Sequence, residues 1–247
     1  MPRLMIVKTG DSFADVVRDH GDFEDFFLTA LAPMAEADDE LTLTVHDART
    51  EGVPPLPAAE DGVLITGSHA MVSEAEPWSE ALKPWLVEAR ARGVAMLGVC
   101  YGHQLMAAAF GGESGYHPGG REVGTRRLRL TTAGRADPLL GTLPTAFPAQ
   151  LTHSQSVLTA PPGAEVLADN GHDPFQALRY GPRQWSVQFH PEFSAEVMRA
   201  YLAHQHEVLA AQGEEPEALL AAVAPTPEAG GLLARFAEQL ARTPTLA

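Results

Sequence analysis

Cys100, His190 and Glu192 have the side-chain types and spacing that nucleophilic attack on a carbonyl group requires. Cys100 is the only cysteine, and it closely follows the apolar run 94–97. A lone cysteine, taken by itself, is usually a small buried hydrophobe. A histidine and a carboxylate two residues apart add a base and a group to orient that base. This combination favours a catalytic thiol over a packing residue.

The segment from His190 to Glu192 gains its geometry from Pro191. A proline biases the preceding residue toward an extended conformation, and residues i and i+2 of an extended segment point to the same side. Glu192 is therefore expected to reach the imidazole of His190 and leave the other ring nitrogen free for Cys100. The alternative for the pair alone is a surface turn with an incidental ion pair.

Glycines at 98 and 102 flank Cys100 and predict a sharp strand-to-helix turn with the thiol at its tip. The positive end of a helix beginning near Tyr101 would favour the thiolate. A second strand, 62–66, runs into Gly67. Backbone N–H groups there and at Tyr101 are expected to bind a developing oxyanion, although a glycine at a strand end is more often only a turn.

The remaining pattern predicts the elements that position these residues, with apolar β-type runs alternating with helical periodicity. Strands are expected at 4–7, 41–45, 62–66 and 185–189, and helices at 23–37, 78–92, 101–110, 194–211 and 227–241. Residues 53–57 read as a proline-rich connector and 213–225 as an acidic linker. Short alternating pieces at 126–187 predict antiparallel strands at one edge of the sheet.

The expected fold class is α/β, with a mostly parallel central sheet, helices on both faces and a small antiparallel edge sheet. A length of 247 residues with 45% apolar composition suits one domain over 1–247. Residues 212–247 would be a linker and a C-terminal helix that packs back on it.

The composition also argues against several kinds of binding partner. A formal net charge of −15 argues against nucleic acid and against an anionic membrane. No apolar run of membrane-spanning length and no signal-peptide core are visible, so a cytoplasmic location is expected. The sequence shows no lysine-bearing phosphate loop, and no cofactor is expected.

Most of the other histidines are expected to have structural roles. His204 and His206 would point to different faces of a helix, which makes a poor metal pair, so no metal is expected. His69, His103 and His153 are expected to pack or to fix loops. Charged residues beside glycine turns, such as Arg121 and Glu122, are usually solvated.

Several segments in one order resemble the class I (triad) glutamine amidotransferases, above all stand-alone relatives of the glutaminase domain of GMP synthase. The matching segments cover about 60–195 and are Ile65-Thr66-Gly67-Ser68, 98–104, Gly111-Gly112, 120–124, 152–157 and 188–192. The resemblance implies a flavodoxin-like three-layer sandwich. It also places 120–124, with Arg121 and Glu122, near the rim of the active site.

The resemblance carries roles onto matching positions. Cys100 would be the nucleophile, His190 the general base and then acid, and Glu192 the residue that orients it. The implied oxyanion hole is Gly67 and Tyr101, and the implied substrate-binding residues are Gln104, Ser154 and Gln155. Gln155 stands where GMP synthase relatives often have an acidic residue.

The expected reaction is hydrolysis of the glutamine side-chain amide through a γ-glutamyl thioester, releasing glutamate and ammonia. The sequence contains no synthase segment, so a separate acceptor subunit is one expectation. A stand-alone γ-glutamyl peptidase or hydrolase acting on γ-glutamyl peptides or amines is the second hypothesis. A non-catalytic binding or regulatory module is the third, and the three intact triad positions speak against it.

Overall fold

The computed structural model describes residues 3–37 and 41–241, which form eleven strands and ten α-helices. The strands are β1 (Arg3–Lys8), β2 (Thr42–Asp47), β3 (Gly62–Ile65), β4 (Ala95–Val99), β5 (Glu113–Tyr116), β6 (Glu122–Leu130), β7 (Ala146–His153), β8 (Gln155–Thr159), β9 (Glu165–Asp169), β10 (Ala177–Gly181) and β11 (Gln184–Val187). The helices are α1 (Ala14–His20), α2 (Phe23–Ala37), α3 (Pro77–Ala91), α4 (Tyr101–Ala109), α5 (Thr132–Ala136), α6 (Ala195–His204), α7 (His206–Ala211), α8 (Pro216–Ala222), α9 (Pro227–Gly230) and α10 (Leu232–Ala241). Short 3₁₀ turns lie at Val72–Glu74 and Leu140–Thr142.

Nine strands form one mixed sheet in the order β2-β1-β3-β4-β11-β10-β9-β6-β7. The five strands from β2 to β11 pair in parallel. The next four continue the sheet with antiparallel pairing. β5 and β8 form a separate two-stranded antiparallel sheet. The predicted fold class is confirmed, and the antiparallel strands largely extend the central sheet itself.

Strands β3, β4 and β11 are buried along their whole length, as expected for strands covered by helices on both faces. Successive strand residues alternate between two cores because the side-chain period of a strand is two. One core joins the strands to α2 and α10, through Leu4, Ile6, Leu64, Leu97, Phe27, Leu31 and Phe236. The other joins them to α3 and α4, through Val63, Ile65, Met96, Leu82, Leu86 and Leu105.

Most predicted elements are present, with four differences. The helix predicted over 227–241 is divided at Gly231 into α9 and α10. The stretch predicted as a linker contains α8, because Pro216 occupies the first turn of a helix and good helix formers follow it. The helix predicted over 194–211 is divided at Gln205 into α6 and α7. Helix α1 was not predicted. The last helix packs as expected, with Leu232, Leu233, Phe236 and Leu240 buried.

Across the described ranges, no helix is both long and apolar enough to cross a membrane.

Candidate functional site

Cys100 lies at the tip of a strained turn between β4 and α4. Its backbone has φ 51° and ψ −99°, and Ala75 is the only other non-glycine residue with a positive φ in the described ranges. Its N–H donates to the carbonyl of Val187 on β11, at 2.9 Å. Such strain is held in place by surrounding structure and concentrates at functional sites. The turn therefore fixes the position of the thiol, which is 6% exposed.

Gly98 and Gly102 allow β4 and α4 to close on each other. A Cβ on Gly98 would lie 2.5 Å from the carbonyl oxygen of Gly102, and a Cβ on Gly102 would lie 2.6 Å from that of Ile65. Both contacts are with backbone atoms, which cannot move aside cheaply. The two glycines are thus required by packing around the turn, as their spacing predicted.

We expect the substitution Gly98→Ala to destabilise the protein by about 1–3 kcal/mol, because the added methyl group must displace backbone in a packed core. Urea unfolding measures this effect through the midpoint at an unchanged slope. Gly171→Ala is the matched control, since a Cβ there meets nothing within 4 Å. Equal midpoints for the two variants would contradict the packing argument.

His190 and Glu192 follow β11 and lie against the turn. Nδ1 of His190 is 2.7 Å from Oε1 of Glu192, and the side chains are 2% and 0% exposed. The His190 backbone N–H donates to the carbonyl of Gln150 at 2.9 Å, and the ring stacks on Phe193 with centroids 4.2 Å apart. Nε2 is buried and has no hydrogen-bond partner among the described residues. Glu192 therefore sets the ring orientation and leaves Nε2 available.

The ring of His190 and the side chain of Cys100 face the same point beside Gly67. A Cβ on Gly67 would lie 3.0 Å from Cε1 of His190 and 3.8 Å from Cβ of Cys100. Burial lowers the pKa of His190, but the charges of Glu192 and Cys100 raise it by more, from 6.5 to about 10. The imidazole therefore holds a proton at neutral pH and can donate it to a leaving group.

Backbone hydrogen bonds orient the peptide before Gly67. The carbonyl of Thr66 accepts from the N–H of Gly102 at 3.3 Å and from Oγ1 of Thr9 at 3.0 Å. Because a trans peptide points its N–H away from its C=O, the Gly67 N–H faces the opposite direction. Tyr101 begins α4, where N–H groups lack acceptors within the helix. Within the described part of the chain, neither N–H has an acceptor, so both can receive an oxyanion.

A cavity of about 220 Å³ opens beside Cys100. This volume suits a small ligand, since drug-sized ligands occupy pockets of roughly 300–1,000 Å³. Its walls come from distant parts of the chain: Phe13, 68–71, Cys100, Tyr101, Gln104, Arg121, 152–155 and Gln205. All three residues expected to bind substrate, Gln104, Ser154 and Gln155, lie on these walls.

The side-chain amides of Gln104 and Gln155 are already engaged in the protein. Nε2 of Gln104 donates to the Gln155 carbonyl at 2.6 Å and to Oε1 of Gln188 at 3.0 Å. Its own Oε1 is left without a described partner. Nε2 of Gln155 donates to Oγ of Ser73 at 2.5 Å, and its Oε1 accepts from the Ser73 N–H at 3.3 Å. Gln155 thus shapes the wall with its amide fixed, whereas Gln104 presents an acceptor.

Arg121 is a cavity residue that the sequence reading placed only near the rim, as a charged side chain beside a glycine turn. Its Nε donates to Oγ of Ser154 at 3.1 Å, and its Nη1 donates to Oε1 of Gln205 at 2.6 Å. Glu122, also expected to be solvated, is 5% exposed and lies 3.1 Å from Nε2 of His153. Phe13 and Met71 also line the cavity, and no sequence signal singled them out.

The other histidines have separate surroundings. Burial lowers the pKa of His69 to about 4 and that of His103 to about 3, so both rings are neutral at physiological pH. His69 lines the cavity and stacks on Phe13 with centroids 4.1 Å apart. His204 contacts Asp15, and His206 contacts Glu217. His190 is the histidine whose pKa is raised.

The site lies within the span of a known family pattern. The family model for glutamine amidotransferase class-I matches residues 22–208, which include the turn at Cys100 and the segment at His190 and Glu192.

Similarity to curated proteins covers part of the chain. The chain is 42% identical over 103 residues to a GMP synthase (glutamine-hydrolyzing) from Parafrankia sp. (strain EAN1pec), covering 41% of this chain and 18% of that protein. It is 33% identical over 162 residues to a gamma-glutamyl-L-1-hydroxyisopropylamide hydrolase from Pseudomonas sp., covering 63% and 55% respectively. The chain thus spans less than two thirds of the length of either relative.

Similarity to a solved structure extends over nearly the whole chain. A glutamine amidotransferase from Thermotoga maritima superposes with a TM-score of 0.74 at 17% identity, covering 98% of this chain and 99% of that one. At this identity the likeness establishes the shared fold.

Proposed function

We propose, since this chain belongs to the glutamine amidotransferase class-I family, that it hydrolyses the side-chain amide of glutamine through a γ-glutamyl thioester on Cys100. The observation that carries the proposal is the arrangement of Cys100, His190 and Glu192. A thiol sits on a strained turn beside a buried imidazole whose other nitrogen is 2.7 Å from a carboxylate. These are the nucleophile, the acid and base, and the orienting group of a triad.

The first half-reaction uses the proton held on His190. The sulfur of Cys100 attacks the amide carbon, and the N–H groups of Gly67 and Tyr101 stabilise the oxyanion of the tetrahedral intermediate. When the C–N bond breaks, the imidazolium donates its proton to the departing nitrogen, which leaves as ammonia. The products of this step are a thioester and a neutral imidazole.

The second half-reaction reverses the role of His190. The neutral imidazole takes a proton from water, and the resulting hydroxide attacks the thioester carbonyl. Collapse of the second tetrahedral intermediate releases glutamate and returns the thiolate–imidazolium pair. The carboxylate of Glu192 stabilises the imidazolium each time it forms. An acceptor synthase subunit for the ammonia is part of this proposal, and it is supported by the relative named GMP synthase (glutamine-hydrolyzing).

The second candidate function is hydrolysis of γ-glutamyl amides with a leaving group larger than ammonia. The relative named gamma-glutamyl-L-1-hydroxyisopropylamide hydrolase favours it. A second open cleft shares Ser68, His69 and Ala70 with the cavity and also includes Trp78 and Glu76. A substituent on the amide nitrogen would have room there.

Product analysis with the purified chain tests the proposal. We expect glutamine to give glutamate and ammonia in equal amounts. We also expect a diazoketone analogue of glutamine to alkylate Cys100 once, with loss of N₂, which mass spectrometry detects as a single adduct. The covalent label reports attack by the thiol even where an acceptor subunit is needed for rapid turnover. Turnover of γ-glutamyl amides with no turnover or labelling by glutamine analogues would establish the second candidate instead. Absence of both reactions would contradict both.

A further inference from the structure

We propose that the cavity recognises its substrate by an α-carboxylate and not by an α-ammonium group. Monoanionic ω-amides without an α-amino charge are then substrates alongside glutamine. This inference rests on the proposed amide hydrolysis and specifies which substrates that site accepts.

Arg121 supplies the carboxylate partner. Its guanidinium is anchored by Ser154 and Gln205 and lines the cavity wall. No ion pair joins it to a carboxylate in residues 3–37 or 41–241. A guanidinium carries five donors in a fixed fork, and two anchoring bonds leave donors for a ligand. An anchored guanidinium without a counter-ion at the wall of a small cavity is complementary to a carboxylate.

The α-ammonium group of a substrate finds no carboxylate counter-ion among the described residues of the cavity wall. None of the described residues that line the cavity is an aspartate or a glutamate. The nearby carboxylate of Glu122 accepts from His153, Asn170 and Gln176, and neither it nor Glu192 is part of the wall. Burying a cation without a counter-ion costs several kcal/mol, so the site gives an α-ammonium little stabilisation.

Gln155 lies on the cavity wall and contributes a neutral amide there. Its amide is held at both ends by Ser73, and its carbonyl accepts from Gln104 and lies 2.9 Å from Nδ1 of His153. An ammonium there would meet the oxygens of Gln155, which already accept hydrogen bonds, and Oε1 of Gln104, which is a neutral acceptor and leaves the positive charge unpaired. Another wall residue, His69, is neutral and offers no charge of either sign at physiological pH.

The charge of an open cleft that shares Arg121 with the cavity agrees with an anionic substrate. Arg121 also lines an adjoining open cleft of about 350 Å³, together with Arg126 and Arg127. Neither of those two arginines forms an ion pair within the described segments, and Glu122 and Glu214 are the acidic residues of that cleft. On a chain with net charge −15 this is a local positive region. It attracts a monoanion more than zwitterionic glutamine, and it gives room for a substituent on the α-nitrogen.

Three amides related to glutamine test the contact with the α-carboxylate and the contact with the α-ammonium group separately. Glutaramate lacks the α-amino group of glutamine, 4-aminobutanamide lacks its carboxylate, and N-acetylglutamine masks the amino charge. We expect kcat/KM for glutaramate and N-acetylglutamine within about tenfold of that for glutamine, a difference of about 1.4 kcal/mol. For 4-aminobutanamide we expect kcat/KM about 100-fold lower, as for loss of one partner of a buried charge pair.

Two variants assign the contacts to residues. Arg121→Gln should lower kcat/KM about 100-fold for the three substrates with a carboxylate, glutamine, glutaramate and N-acetylglutamine, mainly through KM, and leave kcat/KM for 4-aminobutanamide unchanged. Gln155→Glu should raise the preference for glutamine over glutaramate, because it adds a carboxylate to a wall that has none among the described lining residues. Arg129→Gln is the control, since Arg129 lies on β6, the strand that follows Arg121, is exposed and pairs with Asp169. The substrate series on the unmodified protein remains decisive if a variant does not fold.

The outcomes separate this inference from the proposed function. Turnover of glutamine that depends on Cys100, with glutaramate below about one hundredth of it, would show that the α-ammonium is read and would overturn the inference. The proposed function would then stand. No turnover of any of the amides and no labelling of Cys100 would remove the proposed function, and the inference with it.

Discussion

Replacing Cys100 by alanine is expected to abolish amide hydrolysis, with a loss in kcat of at least about 10⁴-fold, as when the nucleophile of a triad is removed. No other residue can form the thioester, since the chain has a single cysteine. The measurement is glutamate release at saturating glutamine, with the diazoketone label as a second readout. Labelling should disappear entirely in the variant.

The same position allows a stability control that separates catalysis from folding. The φ of 51° at Cys100 favours glycine over any residue with a Cβ. Cys100→Gly should therefore be as inactive as Cys100→Ala, yet more stable, by about 1–3 kcal/mol if the strain is fully relieved. Urea unfolding of the two variants gives the comparison. A loss in kcat below about tenfold in either variant would show that the thiol is not the nucleophile.

Replacing Glu192 by glutamine is expected to lower kcat about 10³- to 10⁴-fold, because an amide can donate to Nδ1 and stabilise the wrong tautomer of His190. The geometry should persist, since glutamine has nearly the same shape as glutamate. Thiol labelling by the diazoketone should slow but continue. The matched control is Glu196→Gln, four residues further along the chain in the first turn of α6 and exposed, which should leave kcat unchanged. A loss below about tenfold for Glu192→Gln would contradict an orienting role for the carboxylate.

The pH dependence of activity should differ between the unmodified protein and the Glu192→Gln variant. The pKa of His190 is raised to about 10 by Glu192 and Cys100 against the effect of burial. Activity that needs the imidazolium is therefore lost as pH rises through about 10 in the unmodified protein. In Glu192→Gln the pKa of His190 falls, and the alkaline limb of kcat/KM should move to lower pH. An unmoved limb would mean that another group titrates there.

The raised pKa of His190 also makes the free energy of unfolding depend on pH. Because folding raises the pKa of His190, protonation of its ring stabilises the folded state. This stabilisation is complete below the unfolded pKa of 6.5 and is lost as pH rises through about 10. The midpoint of urea unfolding should therefore fall between these two pH values, and it should fall less in Glu192→Gln.

Local sequence determined the parts of the site that depend on near neighbours along the chain. The glycines around Cys100 required a tight strand-to-helix turn, because only residues without a Cβ fit the backbone approach there. Pro191 and the two-residue spacing placed Glu192 against His190, because an extended segment repeats every second residue. Periodicity likewise predicted the buried central strands and the helices that cover them, since each pattern reflects one element's own burial.

Only the tertiary structure decided which distant residues form the cavity. Arg121 meets Gln205 across 84 positions, and Gln155 meets Ser73 across 82, so no local pattern links them. The sequence placed Arg121 only near the rim of the site, but packing turned it into an anchored cation at the cavity wall. The continuation of the parallel sheet by antiparallel strands was also settled by pairing between distant segments. Local spacing predicts the turn at Cys100 and the pairing of His190 with Glu192, whereas the approach of His190 to Cys100 and the assembly of the cavity wall depend on how the chain folds back on itself.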